Sequence, residues 1–210
     1  MSKLAVCVLA LASVPLLSAA LPQERVKPKE VSFTERLDNA RRAFEAKKFG
    51  TTVAELQEAL TLAIEKQHAA VLAALPPAMA EWKVTPQKKA APAGAFGNAL
   101  LGMTGNIITQ EYRRNERGAN VRVTVHADSP MVQALGMMFA NPALLGEGKE
   151  LISYKDDKAV LETRGNRLTL QIILSGKHMV EVTSTGINDE TLFRMFNQEA
   201  IDRLLFVLNN

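Results

Sequence analysis

The residues with chemical potential are few and scattered. His68, His126 and His178 stand far apart, and no His-x-x-x-His or Glu-x-x-His spacing sets two ligands on one helical face. Zinc needs three or four converging ligands, and this pattern supplies none. Thioethers are soft ligands suited to copper(I), and Met131, Met137 and Met138 cluster downstream of His126. Met131 and Met138 nevertheless share a helical face with Leu135, as core-filling methionines do. Met137 is the odd one of the three. His126, Asp128 and Ser129 are the residue types of a catalytic triad. A triad sets the imidazole between the other two groups and bonds it to each, a geometry that neighbours at one strand end rarely reach. Ser129 or Asp128 reads instead as a helix cap.

The carboxylates also have local explanations. Asp156-Asp157 and Asp189-Glu190 occupy turn and cap positions, where short acidic side chains are favoured. Glu162 and Glu181 fall in strands, as surface partners for arginines. Gly94, Gly97, Gly102 and Gly105 punctuate GAFGNALLGMTG. That stretch lacks both the Walker lysine and the dinucleotide glycine spacing. It is apolar, with Phe96, Leu100, Leu101 and Met103, and is expected to dock on the core or to face a partner. The sole cysteine is Cys7, so the rest of the chain has no thiol for catalysis, zinc, iron–sulfur clusters or disulfides. No enzyme and no cofactor are expected.

Residues 1–20 read as a secretory signal peptide. Lys3 is the basic start, Leu4 to Leu17 is apolar or small, and Ser18-Ala19-Ala20 suits a signal peptidase. The apolar run falls short of the ~20 residues a spanning helix needs, so no stable span is expected after cleavage. The protein is expected to be periplasmic or secreted. The net charge of +3, or +2 without Lys3, says little, whereas export and a 5% aromatic content argue against nucleic acid.

Residues 21–31 form a polar, proline-bearing lead-in. Residues 32–77 predict a helical hairpin. Ser32-x-x-Glu35 and Thr52-x-x-Glu55 have the capping-box spacing, and Gly50 is suited to ending the first helix. Phe33, Leu37, Ala40 and Phe44 share one helical face. Val53, Leu56, Leu60, Ala63, Ile64, Val71 and Leu75 make a second stripe, which Pro76-Pro77 stops. Residues 78–98 read as a linker or loop, with Trp82 anchoring its edge.

From 99 to 210 the hydrophobic period becomes two. Strands are expected at 106–112, 119–126, 150–154, 158–163, 167–174 and 178–185, joined by turns that force antiparallel neighbours. A short helix from Pro130 and a last helix capped by Asn188 or Asp189 should cover one face. The last helix would bury Leu192, Met195, Phe196, Ile201, Leu204 and Leu205. The fold class is α+β: a helical hairpin, then a roughly six-stranded antiparallel sheet under two helices.

The stretch ARRAFEAKKFGTTVAELQEALTLA is similar to one tetratricopeptide-like helix pair, in a single copy. Residues 80–208 loosely resemble the PsbP/Mog1-like fold in element order. Leu75-Pro76, Trp82 and HADSPMVQALGMMFANP give the whole chain the look of exported bacterial proteins of unknown function. The PsbP-like resemblance implies a non-catalytic assembly or binding factor. The expected function is therefore a non-enzymatic cell-envelope module with a protein partner. Phe96, Leu100, Met103, Met131, Met137 and Met138 are its candidate binding residues. The alternative is a carrier of a small apolar ligand or metal in a cleft between sheet and helices.

Overall fold

The computed structural model describes residues 31–85, 106–114, 118–130, 132, 135–136, 139, 141, 145–154 and 157–210. Phe33–Asn210 forms one compact unit. It is α+β, with helices before and after an antiparallel sheet. The order is α1 (Phe33–Glu45), α2 (Phe49–Ala74), β1 (Trp82–Thr85), β2 (Asn106–Arg114), β3 (Asn120–Ala127), β4 (Lys149–Tyr154), β5 (Asp157–Arg164), β6 (Arg167–Leu174), β7 (His178–Thr185), α3 (Asp189–Met195) and α4 (Gln198–Asn209).

The sheet has seven strands, not six, in the order β1-β2-β3-β7-β6-β5-β4. The extra strand is β1, which pairs Trp82 with Arg114 and Thr85 with Glu111. Four residues carry too little alternation to be legible, and an edge strand needs only one partner to bond. The sheet is two meanders, β1-β2-β3 and β4-β5-β6-β7, joined where β7 lies antiparallel to β3. Tight turns shape the second meander. Gly165-Asn166 joins β5 to β6, and Ser175 and Gly176, both in the left-handed region, help turn β6 into β7.

Alternation sorts the strands into two faces. The first face carries Val121, Val123, Val125, Leu168, Leu170, Ile172, Leu174, Val180 and Val182. It packs with Leu192, Phe196, Ile201 and Leu204 of the C-terminal helices, and with Val71, Ala74 and Leu75 at the end of α2. The expectation that the helix from Pro130 shares this face is overturned. Val132 and Phe139, both in helical backbone, cluster instead with Val160, Ile173 and Met179, which point the other way. A one-residue step along a strand reverses the face, and the odd-numbered apolar residues of β6 and β7 supply the second patch.

The helix ends also differ from the sequence reading. Gly50 lies inside α2, and Thr52 bonds its hydroxyl back to the Lys48 carbonyl at 3.1 Å. Lys47 ends α1 instead, at φ 56°. Lys48 N–H donates to the Ala43 carbonyl (2.8 Å) and Lys47 N–H to that of Phe44 (2.9 Å). These are the two bonds of a Schellman motif, closed early enough to override the glycine. The single C-terminal helix expected is two. Asn188 caps α3 through Thr191 N–H, and Asn197 caps α4 through Ala200 N–H.

Candidate functional site

The largest irregularity in burial lies on α1 and α2. The two helices contact each other, and small residues are buried on them: Ala40, Ala43, Thr52 and Ala59. Arg36 bonds Glu55 at 3.0 Å between them. The large apolar residues lie one position further round each helix. Phe33, Leu37 and Phe44 on α1 are 45%, 40% and 60% exposed. On α2, Phe49, Val53, Leu56 and Leu60 follow at helical spacing with 45–59% exposure. The Phe44 and Phe49 rings meet edge to face at 5.8 Å, joining the two stripes at the turn.

The α2 stripe does not stop there. It continues through Ile64 and Gln67 to Val71 and Ala74, which are 0% and 6% exposed. That half of α2 contacts α4 and β2. Asn106 donates to Gln67 at 2.7 Å, and a His68 ring nitrogen lies 3.2 Å from the Ile107 carbonyl. One stripe is therefore core at one end and surface at the other. The extensive contacts of α1 are with α2.

The second sheet face is polar away from the Ile173–Met179 patch. Across its strands one row reads Thr109, Thr124, Glu181, Gln171; the next reads Glu111, Arg122, Thr183, Thr169, Glu162. Arg122 donates to Glu111 at 2.9 Å through Nε. Those hydrogen bonds hold the Glu111 carboxyl below its usual range, against opposing desolvation, with Arg113 assisting. Glu162 pairs with Arg164 and Lys149. Glu181 accepts from the Gln171 amide at 2.9 Å rather than from an arginine. Burial lowers the His126 pKa, and Glu181 works against it. These neighbours satisfy one another across strands, as polar ladders do.

The His126–Asp128–Ser129 set does not assemble. His126 lies on the second face, Ser129 is buried, and Asp128 stands at φ 53°. The histidine beside Asp128 is His178, 1% exposed, whose Nδ1 accepts the Asp128 backbone N–H at 3.0 Å. A triad needs that nitrogen to donate to a carboxylate, so this contact clasps the end of β3 to the start of β7. Ser129 N–H adds a bond to the Lys177 carbonyl at 3.2 Å. Sequence reading missed His178 because its partner is a backbone amide fifty residues away.

Phe96, Leu100, Met103, Met131, Met137 and Met138 lie outside the described residues. Among the described residues no group of histidines and carboxylates is arranged to hold a metal. No helix there is long and apolar enough to cross a membrane. An open depression of about 250 Å³, lined by Gly136, Phe139, Asp157, Lys158, Ile173 and Gly176, sits at the edge of the second face. No family model, curated protein or solved structure matches the chain.

Proposed function

We propose that the protein is an exported, non-enzymatic module of the cell envelope that works by protein contact, with α1 and α2 as a helical hairpin presenting the contact face. One observation carries the reading: the α2 stripe that is core from Val71 onward is open from Phe49 to Leu60, beside a matching open stripe on α1. Arg36 and Glu55 lie on opposite sides of the turn at Lys47, which fits helices running back along each other. An exposed apolar patch larger than a few hundred Å² marks an interaction surface. The small-ligand alternative has less support. The space between the first sheet face and the C-terminal helices is filled by Leu192, Phe196, Ile201 and Leu204, each 0% exposed.

Deleting 32–75 is the wrong test, because it would remove Val71, Ala74 and Leu75 from the core. Point changes serve better. A photo-crosslinking residue at Val53 should give discrete protein adducts in cells, and the same residue at Arg164 on the polar sheet face should not. Leu56→Asp should abolish the Val53 adducts while leaving the far-UV circular dichroism of the chain unchanged. Purified from the envelope, the chain should lack the mass of residues 1–20. Adducts that survive Leu56→Asp, or a chain recovered only uncleaved in the cytoplasm, would count against the reading.

A further inference from the structure

Resting on that contact-face reading, we infer that the partner of the α1–α2 face is a second copy of this chain, paired antiparallel about a two-fold axis. The first argument is area. Seven large apolar side chains, each 40–60% exposed, leave on the order of 600 Å² of apolar surface per chain, since a Phe alone presents 150–250 Å². Two such faces together bury about 1,200 Å², the lower edge of a stable specific interface. The face also suits self-pairing in shape. Two paired helices with Ala40, Ala43 and Ala59 buried leave a broad apolar surface, and two of these stack as a four-helix arrangement.

The second argument is charge. Around the turn, residues 41–53 carry Arg41, Arg42, Lys47 and Lys48 against Glu45 alone. The opposite end, residues 33–40 and 54–60, carries Glu35, Asp38, Glu55 and Glu58 against Arg36 alone. The pair is thus basic at its turn and acidic at its open end, with equal and opposite excess. Antiparallel two-fold packing lays the basic turn of one copy over the acidic end of the other. Complementary potential of this kind fixes register and orientation. An isologous contact needs a surface that complements itself, and this one does. A lipid surface fits less well, because membrane-lying helices concentrate Lys and Arg on their polar face, whereas residues 33–60 are electrically balanced.

The test is the mass of the protein, expressed under its own leader and purified from the envelope, by sedimentation equilibrium over a concentration series. A dimer is expected. The double variant Phe44→Asp, Leu56→Asp should raise the dissociation constant at least about a hundredfold, because a two-fold contact loses both apolar anchors on both copies. Its far-UV circular dichroism should not change. Lys47→Glu with Lys48→Glu should weaken the dimer. Adding Glu35→Lys and Glu58→Lys should restore it, as only antiparallel self-pairing requires. A monomer at every concentration overturns the inference, as does a dimer indifferent to the double variant. So does a monomer that binds phosphatidylglycerol–phosphatidylethanolamine vesicles through this face. A monomer that still forms Val53 adducts with a different protein sinks self-pairing and leaves the contact-module reading standing.

Discussion

Phe196→Ala is expected to be the most damaging single change, removing about 3–5 kcal/mol of stability. Phe196 is 0% exposed at the junction of α3 and α4 and belongs to the first-face core with Leu192, Ile201 and Leu204. Its loss opens a cavity that neighbours from two helices and a sheet cannot all move to fill. Domains hold only ~5–15 kcal/mol in total, so the variant would sit near the limit of folding. Phe206, on α4, provides the control. It is 70% exposed, and Phe206→Ala should cost less than about 0.5 kcal/mol. Urea unfolding reads both, through a shifted midpoint at constant slope. Equal midpoints for the two variants would mean that α3 and α4 do not pack as described.

Alkaline pH should destabilise the protein through Tyr112. The residue is 0% exposed. Its hydroxyl donates to the Pro76 carbonyl at 2.7 Å and accepts from the Gln110 amide at 2.7 Å. Burial pushes its pKa up from 10.0 to about 12, with the Gln110 bond opposing. A phenolate would lose its bond to Pro76 and carry a charge into the core. The folded state therefore holds the proton more tightly than the unfolded chain. The stabilisation is complete below pH 10 and is lost as pH rises through 12. Two pH units correspond to roughly 2–3 kcal/mol. Tyr112→Phe should lower stability at pH 8 by about 1–2 kcal/mol and flatten the decline between pH 10 and 12. The protein has two tyrosines, so ultraviolet absorbance resolves the titration directly. An unchanged alkaline limb in the variant would remove Tyr112 from the explanation.

Both residues show how much structure was legible in the chain. The alternation of Val121, Val123 and Val125 announced a strand with one buried face, and all three are 0% exposed. Asn188 was readable as a cap because its side chain bonds an amide three residues on. Pro76-Pro77 closed the long helix where expected, with α2 ending at Ala74. Such signals are local: a residue's type and its neighbours decide them.

The unreadable features depend on distant segments. Gly50 has the propensity of a terminator, yet a Schellman closure at Lys47 ends α1 and α2 runs through the glycine. Accepting a left-handed lysine costs roughly 1–2 kcal/mol. β1 exists because the end of β2 offers it an open edge. Asn197 splits the last helix so that α3 and α4 can both reach the first face. The candidate interface was half visible. Its two stripes were plain in the spacing of Phe33, Leu37 and Phe44 and of Val53, Leu56 and Leu60, but spacing left open whether the rest of the chain or a partner covers them.

The sequence alone thus determined the fold class, six of the seven strands and the amphipathic stripes, because hydrophobic period and capping act within a few residues. Only the tertiary structure decided which stretch of each stripe is covered. An apolar side chain at the right spacing is equally suited to a core and to an interface, and the difference lies in whether another part of the chain arrives to bury it.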